Sequence, residues 1–136
     1  METPPTPSPD GAPRPPADAL PLVSIVVTNW NGAAFVEECI RTLWDSAEAS
    51  GRPFELLVVD DVSSDGSPEI IAATFPGVRL LRNEANVGFA RTSNRGAEAA
   101  RGRILVMMNN DMRVPREFIA RLVAAFEEEE ARPGAA

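Results

Sequence analysis

No histidine occurs among the 136 residues, and there is one cysteine, Cys39. The missing histidine removes a Ser-His-Asp triad, a histidine-ligated zinc and a histidine general base together, so carboxylates are the candidate acid, base and metal-binding groups. One cysteine excludes an internal disulfide framework and a cysteine-rich zinc site. Cys39 stands among apolar neighbours at helical spacing, the setting of a buried structural thiol rather than a nucleophile. No apolar run reaches the ~18 residues of a membrane-spanning helix. The stretch from Met1 to Ala19 lacks the basic region and apolar core of a secretory signal, so a cytoplasmic chain is expected. Basic charge is scarce: a net charge of -7 argues against nucleic acid as a partner, whose phosphates require a basic footprint. Part of that charge is the run Glu127 to Glu130, which reads as a solvated helix end.

The apolar fraction of 44% and charged fraction of 24% are ordinary for one soluble globular domain. Residues 1–21 are crowded with proline and read as a disordered or polyproline-like tail. After Pro21, short apolar runs alternate with segments of helical period, the pattern of βαβ units and a mostly parallel sheet. The domain is expected over 22–130, with 131–136 as a second tail. Strands are predicted at Leu22 to Thr28, Phe54 to Val59, Val78 to Leu81 and Ile104 to Met108. Helices are predicted from Ala33 to Ala49, from Pro68, from Phe89 to Ala100 with Gly102 as its cap, and from Pro115. The predicted inward faces are Phe35, Val36, Cys39, Ile40, Leu43, Trp44 and Ala47, then Ile70, Ile71 and Phe75, and finally Phe118, Ile119, Leu122, Val123 and Phe126.

Parallel sheets bind ligands beyond the carboxyl ends of their strands. Three polar clusters fall there: Thr28-Asn29-Trp30-Asn31-Gly32, Asp60-Asp61 and Asn109-Asn110-Asp111. A carboxylate ending a buried strand is costly unless solvated, hydrogen-bonded or bound to a cation. Asp111 is therefore a candidate ligand for Mg2+ or Mn2+, or else a helix cap. Asp61 is a binding or a turn residue, and Trp30 either packs in the core or stacks on a flat base. Asn86-Val87-Gly88-Phe89 is a plain turn, or it brings N–H groups and Arg91 or Arg95 toward phosphate. The first cluster is not the G-x-G-x-x-G of a dinucleotide site, and no phosphate-binding G-x-x-x-x-G-K-[ST] occurs. The basic, glycine-rich first loop of a sugar-1-phosphate nucleotidyltransferase is also missing.

Taken in order, Val23 to Gly32, Leu57 to Ser67, Asn86 to Gly96 and Ile104 to Asp111 resemble the successive signatures of family 2 glycosyltransferases, over roughly Leu22 to Phe126. The resemblance implies a GT-A, Rossmann-like α/β fold, its mostly parallel sheet flanked by helices, here truncated before the acceptor half. It assigns Thr28, Trp30, Asn31, Asp60, Asp61, Gly88, Arg91, Asn94, Asn109 and Asn110 to a nucleotide-diphosphate sugar, and Asp111 to Mg2+ or Mn2+. Within that set, Thr28 and Trp30 would line the base pocket, Asp61 would bond the base edge, and Asp60 would support its loop or reach the ribose. Asn109 stands where the acidic motif often begins with Asp, a variant resembling rhamnosyltransferase-like members and leaning toward a dTDP-sugar, with UDP-sugars close behind.

The implied reaction is displacement with inversion at the anomeric carbon. Its general base is a carboxylate beyond the acidic motif, so residues 1–136 alone are expected to transfer little sugar. The implied acceptor is a saccharide or lipid-linked glycan in cell-envelope synthesis, peripheral to the inner face of the membrane. An uncovered sheet edge is expected to invite association with the missing half. Val62 replaces a frequent glycine, so the loop must avoid positive φ there or accept strain. The alternative reading is a noncatalytic nucleotide-sugar-binding or interaction fragment of a split or truncated transferase.

Overall fold

A computed structural model describes residues 21–133. The expected tails at 1–21 and 131–136 lie outside these, apart from Pro21 and residues 131–133. Four strands and four helices alternate strictly: β1 (Val23–Asn29), α1 (Val36–Ala49), β2 (Phe54–Asp60), α2 (Ser67–Thr74), β3 (Arg79–Arg82), α3 (Phe89–Ala99), β4 (Ile104–Asn109) and α4 (Phe118–Ala131). The strands form one parallel sheet in the order β3-β2-β1-β4. Parallel strands need crossover helices, and those helices cover both faces. This is why β1 and β2 read as unbroken apolar runs, with Val23 to Val27 and Leu56 to Val59 all buried.

Alternate residues of each strand point to opposite faces. Ile25 and Val27 of β1, with Leu56 and Val58 of β2, join Val36, Ile40 and Leu43 of α1, Ile71 of α2, and Ile119 and Val123 of α4 in the larger core. Val26, Leu57, Val59 and Leu81 form the smaller core on the opposite face, where α3 lies over β1 and β2. That helix approaches closely because Gly96 faces the sheet: a Cβ there would sit 2.3 Å from Val26 Cγ1 and 3.2 Å from Val59 Cγ2. α3 does not extend over β4, whose residues on this face, Leu105 and Met107, are 45% and 43% exposed.

Several predicted core positions are exposed, each for a reason of helix phase. Phe35 precedes α1 and is off its buried stripe. Short α2 turns Ser67, Pro68 and Ile71 inward and leaves Ile70 outside. α4 packs through Ile119 and Val123, one turn apart, which turns Leu122 and Phe126 to its flank. Trp44 and Phe75 are half-buried at the core margin. α4 begins at Phe118 rather than Pro115, because Phe118 N–H donates to Pro115 O and forms a turn first. Gly102 does not cap α3, which ends at Ala100 in extended backbone; instead Gly102 N–H donates to Ser24 Oγ at 2.7 Å, and a Cβ would collide with Ser24. The acidic run is partly ion-paired, Arg52 making a two-pronged contact with Glu127 and Arg103 reaching Glu130. Such exposed pairs add little stability.

The close approach of α3 makes Gly96→Ala a test of the packing. The substitution is expected to lower unfolding free energy by ~1–3 kcal/mol, measured by urea denaturation, because overfilling a packed interface moves the helix off the sheet.

Candidate functional site

β1 ends in Asn29, whose side chain is 1% exposed. A buried amide needs partners, and Asn29 has them in two other loops. Its Nδ2 donates to Asp60 Oδ1 at 2.8 Å and to Ser67 Oγ at 2.9 Å, while its Oδ1 accepts from Asn110 Nδ2 at 2.9 Å. Because an ionised carboxylate only accepts, Asp60 dictates this orientation of the amide. Asp60 also accepts from Ser63 N at 2.9 Å and Ser63 Oγ at 2.6 Å, closing the turn after β2. Gly32 packs against the same group, where a Cβ would meet Asn110 Nδ2 at 2.1 Å and Asn29 Oδ1 at 2.4 Å. A second set of bonds staples the first two loops together. Asn31 N donates to Ser63 Oγ, Ser64 N donates to Asn31 Oδ1, and Ala33 N donates to Asp65 Oδ2, each at 2.8 Å.

Asp61 is buried and holds the turn before α3. Its carboxylate accepts from Val87 N at 2.8 Å, Gly88 N at 2.9 Å and Asn83 Nδ2 at 3.0 Å. Burial pushes this carboxyl up, and the bonds from Asn83, Val87 and Gly88 outweigh it, leaving the pKa below its ordinary value. Gly88 supplies a φ of 90° at the turn. Val62, between Asp61 and Ser63, takes a φ of 61°. The loop therefore accepts the strain foreseen for a side chain at that position, which for a β-branched residue costs on the order of 1–3 kcal/mol.

β4 delivers Asn109, Asn110 and Asp111 to the same end of the sheet. Beneath them Cys39 Sγ donates to Asn109 O at 3.4 Å, and burial raises its pKa to about 11, so the thiol is structural, as expected. Together these loops enclose a cavity of about 500 Å³ lined by Thr28, Asn29, Trp30, Asp61, Asn86, Gly88, Phe89, Thr92, Asn109, Asn110 and Asp111. That volume lies within the range of small-molecule sites. Trp30 and Phe89 on its lining are 60% and 66% exposed, so their rings are free for contact.

Seven of the sequence-predicted residues meet there: Thr28, Trp30, Asp61, Gly88, Asn109, Asn110 and Asp111. Four do not line the cavity. Asn31 and Asp60 brace loops, so for Asp60 loop support is the role seen. Arg91 and Asn94 are exposed, because Thr92 and Gly96 occupy the sheet side of α3 and turn their neighbours away. Arg95, the other candidate for phosphate, donates to Asn83 Oδ1 at 2.7 Å. Asn29, Asn86, Phe89 and Thr92, which lay within the sequence motifs but were assigned no role of their own, also line the cavity. For Asn29 the signal was available, as an amide ending a fully buried strand must be internally bonded. Among the described residues no three His, Cys, Asp or Glu side chains converge. Asp111 offers one carboxylate beside amide carbonyls, a donor set that suits a hard cation completed by phosphate and water.

The family model described as Glycosyl transferase family 2 matches residues 24–132. The chain belongs to this family. An uncharacterized protein of Mycobacterium tuberculosis is 38% identical over 111 residues, covering 81% of this chain and 34% of that protein. The undecaprenyl-phosphate 4-deoxy-4-formamido-L-arabinose transferase of an Enterobacter species is 34% identical over 116 residues, covering 82% of this chain and 35% of that enzyme. The mannosyltransferase of Pyrobaculum calidifontis, solved with GDP-Man and Mn2+, superimposes with a TM-score of 0.71 at 27% identity, covering 88% of this chain and 35% of that one. The fold is thus the GT-A architecture. This family 2 chain spans about a third of the length of the curated relatives it matches.

The lowered pKa of Asp61 gives a pH prediction. The unfolded chain binds this proton first, near the ordinary aspartate pKa of about 3.9. The stabilisation is therefore complete above that pH and is lost as pH falls through the lower folded value. Asp61→Asn is expected to cost about 1–3 kcal/mol at neutral pH. It is also expected to make the acid-side decline shallower, read by denaturant unfolding from pH 7 to pH 2.

Proposed function

We propose that this chain is the donor-binding part of an inverting glycosyltransferase. In this reading it holds a dTDP- or UDP-linked sugar together with Mg2+ or Mn2+, for transfer to a saccharide or lipid-linked acceptor in cell-envelope synthesis. The setting is cytoplasmic, peripheral to the inner membrane face. The observation that carries the proposal is the convergence of the loops after β1 and β4 and the turn before α3 on one cavity of about 500 Å³. Exposed Trp30 offers a flat face to the base. Asp61, a carboxylate on the cavity lining, would meet the base edge. Asp111, with the Asn109 amide beside it, would hold the cation against the diphosphate. When bound, that cation supplies positive charge where the leaving diphosphate develops negative charge.

The acceptor hydroxyl must lose its proton to a base, which this reading assigns to a carboxylate beyond the acidic motif. Residues 1–136 by themselves are accordingly proposed to bind donor without sustained transfer. Membership in family 2, the lipid-linked sugar transferase among the relatives and the GDP-Man and Mn2+ of the mannosyltransferase all support the reading.

Calorimetric titration with UDP, dTDP and GDP, each with and without Mn2+, tests it. The expected outcome is binding of UDP or dTDP strengthened by Mn2+, with that gain abolished in Asp111→Ala. A folded chain that binds none of them, or whose binding is indifferent to both Mn2+ and Asp111, contradicts the proposal.

A further inference from the structure

The first loop and the acidic motif are joined by very few atoms. Asn110 Nδ2 donates to Asn29 Oδ1 at 2.9 Å across 81 residues of chain, and Gly32 fits against both. Asn29 is itself immobilised from below by Asp60 and Ser67, so its carbonyl is a fixed point rather than a freely turning side chain. Asn110 hangs from that point. Its neighbour Asp111 is exposed on the cavity lining, and among the described residues none hydrogen-bonds or ion-pairs with its side chain to set its position.

We infer that Asn110 is a positioning residue: through its hydrogen bond to Asn29 it fixes the loop from which Asp111 would hold a divalent cation. This rests on the reading of the cavity as a nucleotide-sugar site, and it reassigns Asn110 from donor contact to brace. The reason is geometric. An amide whose N–H reaches a buried carbonyl at 2.9 Å, with Gly32 leaving no room for a methyl group, is committed to the protein. A hard cation tolerates little error in ligand placement, and loss of a residue that orients a metal ligand typically weakens metal affinity by about tenfold or more.

Two variants break the same contact from opposite sides. Asn110→Ala removes the donor. Gly32→Ala leaves both amides in place and drives a methyl group between them. Both are examined by UDP titration with and without Mn2+, with circular dichroism and thermal unfolding confirming a folded chain. The expected result is a loss of about tenfold in the Mn2+ enhancement, the ratio of UDP affinities with and without metal, in both variants. Retention of the full Mn2+ enhancement by folded Asn110→Ala overturns the inference. So does an equal loss of affinity with and without metal, which would make Asn110 a donor contact. If the parent chain shows no Mn2+ enhancement, the reading of the cavity fails, and the inference with it. A parent enhancement that survives in Asn110→Ala sinks only the positioning role.

Discussion

Asn29 ends a strand that is buried on both faces, and with 1% of its surface exposed its amide depends on the protein for hydrogen bonds. Those bonds reach the turn after β2 through Asp60, the start of α2 through Ser67 and the loop after β4 through Asn110. Three segments far apart in sequence are thereby held at one end of the sheet. The requirement propagates outward: Asp60 gathers Ser63, Ser63 receives Asn31 N–H, and Asp65 ties Ala33 to the first turn of α2. Gly32 is required because the loop crosses directly over the Asn29–Asn110 pair. A fully connected buried polar network specifies one arrangement, since a partly satisfied alternative leaves groups desolvated and unpaired.

A second, separate device acts on the opposite side of the cavity. Asp61 reaches away from the Asn29 group toward the turn at Asn86 to Gly88, and Asn83 spans the gap to Thr92 and Arg95. Neighbouring aspartates thus have different tasks, Asp60 tying loops to the sheet and Asp61 tying the α3 turn to the loops. The strain at Val62, with φ at 61°, comes directly after these two anchors, before Ser63 N–H turns back to Asp60. In the proposed reading this division leaves the cavity wall pre-formed, with Trp30, Phe89 and Asp111 as the exposed groups that meet the donor.

Much of this was legible in the sequence, for physical reasons that differ by element. The strands were legible because a parallel sheet covered on both faces demands unbroken apolar runs such as Leu56 to Val59. Their loops were legible because polar residues directly after such runs have only the carboxyl end of the sheet to occupy. Side-chain direction was less accessible. Arg91 and Asn94 sit in the same motif as Gly88, yet the rotation of α3, set by the close fit of Gly96 to Val26, turns them to solvent. Phe89 was named in that turn but given no role of its own, because its exposure depends on the same rotation. Asn29 was named in the polar cluster after the first strand but given no role, because that role emerges only when Asp60, Ser67 and Asn110 are brought around it.

The central claim is that the loops after β1 and β4 and the turn before α3 close on one metal-assisted donor. The most direct measurement is an amide NMR spectrum of isotope-labelled chain saturated with UDP and Mg2+, followed by addition of trace Mn2+. Paramagnetic broadening is predicted to centre on residues 109–112 and to extend to Trp30 and Gly88, which line the same cavity. Broadening centred instead on Glu127 to Glu130, or no selective broadening at these loops, would contradict the account.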